Sequence, residues 1–137
     1  NNFEQNQHCG LNVLTKAIDG YRGEVMISLG SGGGTLPNNR RSKIGTTILE
    51  IGAWYHIVGV VRDFDDMDIF INGENDGGEL IGNGPESVFY TDGPASIGRE
   101  DISSMNSPYF FSGSMDDIFF YERALSPEEV SLLFELE

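Results

Sequence analysis

Apolar residues recur with a short period over most of the chain. Residues 12–16, 24–29, 43–49, 54–62, 68–71, 78–81, 95–98 and 115–121 are rich in Val, Ile, Phe or Tyr and bounded by Gly, Asn, Asp or Pro, so each predicts a β-strand. Strand starts roughly 8–12 residues apart favour an all-β sandwich over alternating β/α units. Asn72-Gly73 follows the strand Asp68-Ile69-Phe70-Ile71. Asn-Gly supplies the two positive φ angles of a type I′ turn, which makes this the strongest local hairpin signal. Ser31-Gly32-Gly33-Gly34-Thr35 reads as a flexible surface loop.

One helix is expected, at the end. Ser126-Pro127-Glu128-Glu129 has the form of a capping box, with Ser126 as N-cap, Pro127 at N1 and Glu129 reaching back to the cap amide. Val130, Leu133, Phe134 and Leu136 then supply an apolar stripe. A helix of about ten residues is not stable alone, so this stripe must pack on the sandwich. No repeat or domain boundary interrupts the chain, which predicts a single domain over residues 1–137.

Composition narrows the partners. Lys and Arg number 8 against 22 Asp and Glu, a formal charge of −14. A nucleic-acid backbone or anionic membrane would repel such a surface. Cys9 is the one cysteine, which excludes an intramolecular disulfide and a cysteine-based zinc site. No apolar run approaches the length of a membrane span, so membrane insertion is not expected. The opening residues Asn1-Asn2-Phe3-Glu4 carry neither the basic nor the apolar region of a signal peptide. The expectation is that a leader was removed or that the chain is a piece of a longer protein.

Along residues 54–62, Trp54, His56, Val58 and Val60 fall on one face and Tyr55, Ile57 and Val61 on the other. Apolar residues on both faces predict a central strand with Trp54 in the core and His56 packed and hydrogen-bonded. Residues 115–121 show the same two-sided pattern, with Ile118 and Phe120 opposite Phe119 and Tyr121. The basic run Arg40-Arg41 beside Lys43 reads as a solvated loop end, and Asp63-Phe64-Asp65-Asp66-Met67-Asp68 as a solvated turn.

Three segments in order carry a resemblance. Gly52-Ala53-Trp54-Tyr55-His56-Ile57-Val58 runs into the Phe70-Ile71-Asn72-Gly73 hairpin. Ala95-Ser96-Ile97-Gly98-Arg99 follows. Phe111-Ser112-Gly113-Ser114-Met115-Asp116-Asp117-Ile118-Phe119-Phe120-Tyr121-Glu122-Arg123-Ala124-Leu125-Ser126-Pro127-Glu128-Glu129-Val130 closes the set. Together they resemble the laminin-G-like, concanavalin A-like lectin and glucanase family, over roughly residues 12–134. The resemblance implies a two-sheet antiparallel jelly-roll sandwich with one short C-terminal helix. It also implies one or two further strands ahead of residue 12, a vacancy that residues 3–8 would partly fill. An unfilled vacancy leaves an open sheet edge and invites self-association.

Glucanases of this kind carry an E-x-D-x-(x)-E strand that places two carboxylates about 5–5.5 Å apart for a retaining mechanism. No such run exists here, nor a nucleophile elbow, a zincin helix or a phosphate loop, so no catalysis is expected. The Asp63 cluster fails the EF-hand pattern, because Met67 falls on a ligand position and Asp68 on the required glycine. The resemblance instead implies a structural Ca²⁺ held by Asp117, with Asp116 next, plus carbonyls from other loops. Lectins of this fold stack sugars on aromatic rings of the concave sheet or of one rim. The matching loop residues are Tyr21, Arg22, Tyr90, Asp92, Arg99 and Tyr109. The expected function is thus a non-catalytic extracellular or cell-surface module that binds a polysaccharide or other glycan, or mediates adhesion, within a larger secreted bacterial protein. The alternatives are a purely structural accessory domain of a secreted enzyme and a degenerate glycoside hydrolase domain.

Overall fold

A computed structural model describes residues 9–16, 23–31, 40–84, 96–100 and 109–136. In chain order these form β1 (Cys9–Lys16), β2 (Glu24–Ser31), β3 (Arg40–Ile48), β4 (Ile57–Asp63), β5 (Asp66–Ile71), β6 (Glu74–Asn75), β7 (Glu79–Ile81), β8 (Arg99–Glu100), β9 (Tyr109–Phe110) and α1 (Pro127–Glu135). One sheet has the order β1-β2-β3-β7, a second β4-β5-β6, and β8 and β9 form a separate ribbon. Every pairing is antiparallel. The architecture is the expected all-β sandwich with a single short helix.

The two larger sheets meet through Val25 and Ile27 of β2 and Ile69 and Ile71 of β5, with Leu49, Tyr55 and Val61 packed around them. A Cβ on Gly59 would stand 2.9 Å from the tip of the Ile27 side chain, so a larger residue there would have to push that tip aside. The other face of the β4-β5-β6 sheet offers Val58, Val60 and Phe70, which pack on Leu125, Val130 and Leu133 of the helical segment. Successive residues of β5 therefore point into different cores, Ile69 toward β2 and Phe70 toward α1, and both are fully buried. Both faces of β2 are buried as well; Ser28 and Ser42, paired in register, share a buried hydroxyl hydrogen bond of 2.7 Å.

The local signals are realised as drawn. Asn72 (φ 52°) and Gly73 (φ 80°) both occupy the left-handed region, and Ile71 pairs with Glu74 across the turn. The Glu129 amide donates to the Ser126 hydroxyl and the Ser126 amide to the Glu129 carboxylate, which completes the capping box. Val130 and Leu133 pack inward, and the Phe134 ring stacks on His56 with centroids 5.8 Å apart. Leu136, at the C-cap, is 82% exposed and leaves the stripe.

Four expectations are corrected. Trp54 is 69% exposed: it lies ahead of β4, which begins only at Ile57, and belongs to neither core cluster. Residues 115–121 form no strand: they have no paired partner among the described residues, and Asp117 has φ 47° in their midst. Of the strand expected at 95–98, residue 95 lies outside the described residues and 96–97 are unpaired; the ladder is assigned only from Arg99, with Gly98 at φ 74° accepting from the Phe111 amide beside it. Arg40 and Arg41 open β3 instead of ending a loop. Arg40 is 6% exposed, and the Arg41 guanidinium donates to the Gly82 carbonyl and to Asp65 at 2.6 Å. The acidic turn is accordingly charge-compensated, with Arg62 bonded to Asp66 at 2.9 Å and Asp68 at 2.7 Å. The glycine-rich loop expected at 31–35 lies outside the described residues, apart from Ser31 at the end of β2.

The helix start carries a pH signature. The Arg123 guanidinium, followed by the Ser126 amide, holds the Glu129 carboxyl at about 2, against an ordinary value of 4.5. Between those values the unfolded chain binds more protons than the folded one, so this stabilisation is complete above pH 4.5 and fades as pH falls toward 2. Urea unfolding of Glu129→Gln is expected to show a shallower acid loss of stability across that window than the unaltered chain.

Candidate functional site

The hairpin turn and the chain that follows it bring polar groups to one end of the sandwich. Asn72 is fixed twice, its amide donating to the His56 carbonyl at 2.8 Å and its side-chain oxygen accepting from the His56 amide at 3.0 Å. Asn75 donates to Asp68 at 3.0 Å and accepts from the Gly77 amide at 2.8 Å. Asp76 then reaches from the β4-β5-β6 sheet to β3 of the other sheet. Its carboxylate accepts from the Thr46 amide at 2.8 Å, from the Thr47 amide at 3.1 Å and from both threonine hydroxyls. Gly45 admits it, because a Cβ there would stand 2.0 Å from the carboxylate oxygen.

Partial burial alone pushes the Asp76 carboxyl up. The Thr47 hydroxyl and amide, with those of Thr46, outweigh it and hold the group below its ordinary range. Asp68 behaves alike, with burial opposed by Asn75 and Arg62. Asp76 thus latches one sheet to the other as a carboxylate.

Beside the latch lies an open depression of about 360 Å³. Ile71 and the Tyr55 ring give it apolar wall, and Thr47, Asn72, Glu74, Asn75 and Asp76 its polar lining. The Tyr55 oxygen accepts from the Glu50 amide at 3.0 Å, which leaves its own proton to donate. A mix of ring face, amides and carboxylate is suited to a polyhydroxylated ligand, and its acidic balance disfavours an anionic one.

The sequence-derived candidates are placed unevenly. Tyr21, Arg22, Tyr90 and Asp92 lie outside the described residues. Arg99 and Tyr109 come together on the β8-β9 ribbon, where Arg99 pairs with Phe110 and Tyr109 with Glu100, so the two are neighbours but not opposite one another. Asp116 and Asp117 are exposed, and the Asp117 amide donates to the Asp116 carboxylate at 3.0 Å, a turn-forming contact. Calcium takes six to eight oxygen ligands. Among the described residues no group of three or more His, Cys, Asp or Glu side chains is placed to hold a metal, so the ligands expected beside this pair would be loop carbonyls. The depression itself went unpredicted. Its one sequence signal is the Gly45-Thr46-Thr47 run, which gives no hint of Asp76 about thirty residues on.

Residues 12–131 match the family model of the concanavalin A-like lectin/glucanases superfamily. The chain belongs to this superfamily. Its match is to the laminin-G type, whose domains are generally non-catalytic binding or accessory modules. No curated protein matches the sequence. Among solved structures, an S-layer domain-containing protein of Clostridium thermocellum is similar at 18% identity with a TM-score of 0.48, over 92% of this chain and 64% of that one. This laminin-G-like domain therefore spans less than two thirds of that structure.

The latch makes a direct prediction. Asp76→Ala leaves the Thr46 and Thr47 donors without their carboxylate and is expected to lower unfolding free energy by about 1.5–3 kcal/mol in urea titration at pH 7. Because the Asp76 value is depressed, that difference is complete above its ordinary 3.8 and shrinks as pH falls below it.

Proposed function

We propose that this laminin-G-like domain is a non-catalytic extracellular module that binds a neutral polysaccharide, and that the depression between Tyr55 and Glu74 contributes to the site. The observation that carries the reading is the lining of that depression, a tyrosine ring beside two asparagines and a glutamate, in a superfamily of lectins and glucanases. Sugars present apolar ring faces to aromatic side chains and hydroxyls to amides and carboxylates, and such sites need no reacting group. Catalysis of glycoside cleavage instead needs one carboxyl raised into the acid role. Asp68, Asp76, Glu128 and Glu129 are all held in the opposite direction. The rim residues Tyr21, Arg22, Tyr90, Asp92, Arg99 and Tyr109 belong to the same proposal as further contacts along a chain-like ligand. A structural Ca²⁺ at Asp117, with Asp116 and loop carbonyls, is a separate part of the proposal.

Affinity electrophoresis in gels containing neutral β-glucan, mannan or xylan tests the reading. At least one polysaccharide should retard the domain without release of reducing ends. Glu74, exposed and on the hairpin, can be removed without touching the latch, and Glu74→Ala is expected to weaken retardation about fivefold with an unchanged Tm. Tyr109→Ala or Tyr90→Ala weakening it while Glu74→Ala does not would move the site to the rim loops. Migration unaffected by every polysaccharide would refute carbohydrate binding.

A further inference from the structure

The Asn72-Gly73 turn between β5 and β6 is a reactive dipeptide as well as a structural one. An asparagine followed by glycine can lose ammonia without any enzyme. The Gly73 nitrogen attacks Cγ of Asn72, a new C–N bond forms, and the Cγ–NH₂ bond breaks as ammonia leaves with the Gly73 proton. Water then opens the resulting succinimide at either carbonyl and leaves aspartate or isoaspartate. Nothing is oxidised or reduced, and water is the sole co-reactant. Glycine favours the step because no side chain screens the attacking nitrogen.

The fold holds Asn72 in the wrong geometry for this attack. The Gly73 nitrogen and the Asn72 side chain must lie on the same side of the Cα–C bond. Asn72 is left-handed, at φ 52°. A left-handed residue has ψ of about +47°, which sets the following nitrogen trans to its side chain. The side chain is held as well, its oxygen accepting from the His56 amide at 3.0 Å. Turning the Gly73 peptide toward it is opposed by α1. The Ser131 hydroxyl donates to the Gly73 carbonyl at 3.0 Å. Gly73 is buried, and a Cβ there would stand 3.1 Å from the Phe134 ring. Asn72 itself is exposed, so water reaches it and only geometry protects it.

We propose that Asn72 is a deamidation site gated by α1, closed while the helix is docked and converted irreversibly when the helix lifts. Isoaspartate routes the backbone through the side-chain carbons and so lengthens a two-residue turn by one atom. The register of the hairpin is set by that turn, so β6 loses its place against β5. Asp76, just beyond β6, is then drawn off Thr46 and Thr47. A lapse of helix docking is thereby recorded as permanent loss of the latch. The gate acts whether or not the depression holds a sugar.

Asn83-Gly84 supplies an internal comparison. It is the same dipeptide, with Asn83 exposed and not left-handed, and its Gly84 amide donates to the Arg40 carbonyl at 3.3 Å. The full chain is aged in mildly alkaline buffer with and without guanidinium chloride. Cleavage after Glu74 and Glu79 then places Asn72 and Asn83 in separate peptides for mass spectrometry. Asn72 is expected to convert at least about tenfold more slowly in the native chain than in denaturant. Phe134→Ala should speed native conversion of Asn72 about fivefold and leave Asn83 unchanged. Ser131→Ala, which removes one hydroxyl and keeps the core, should act in the same direction. The converted chain, separated by ion exchange, should melt at a lower Tm.

Equal native and denatured rates at Asn72 would overturn the gate. Acceleration of both asparagines alike would assign the effect to general unfolding, and no acceleration by either variant would remove α1 from it; both results overturn the proposal. An unchanged Tm in the converted chain would overturn the link to the latch.

Discussion

The β4-β5-β6 sheet has no polar face over its middle, and the remaining structure is organised around covering it twice. Ile69 and Ile71 look toward β2, Phe70 toward α1, and each needs its own apolar partner within one strand's width. Burying a side chain of this size contributes about 1.5–3 kcal/mol, so leaving either face wet would offset much of a small domain's net stability. The helix depends on the sheet in return. Nine residues do not hold a helix in water, and α1 persists because Val130 and Leu133 close over Val60 and Phe70 while its capping box satisfies the first turn.

That double cover also fixes the site. The Asn72-Gly73 turn is held by paired bonds to His56, and the Phe134 ring lies on His56 from the helix side. With the turn so placed, Asp76 falls within reach of Thr46 and Thr47 and joins the two sheets at the same end. The Tyr55 ring and the polar lining of the depression are thereby set on a rigid frame.

Features whose cause is local were legible in the sequence. The hairpin turn is specified by two residues, the helix start by four, and the alternation of Tyr55, His56, Val58 and Val60 by the period of a strand. Features that need a distant partner were not. Trp54 has the right parity for burial in a strand starting at residue 54, yet β4 begins only at Ile57 and Trp54 is left exposed. Residues 115–121 have the composition of a central strand but no paired neighbour among the described residues, and composition alone makes no ladder. Arg40 and Arg41 look like surface charge until Asp65 and the Gly82 carbonyl are seen beside β3. Of the site, the tyrosine and asparagine types fit the expectation, but their positions follow from the Asp76 latch, which no spacing announces.

Native-state amide exchange on β5 tests the dependence on two covers most directly. The amides of Ile69, Phe70 and Ile71 should be among the slowest in the chain, opening only with global unfolding and with the same denaturant dependence, because neither face can be uncovered alone. Exchange of those three amides through a low-energy local opening, with α1 or β2 detaching while the other stays in place, would contradict the account.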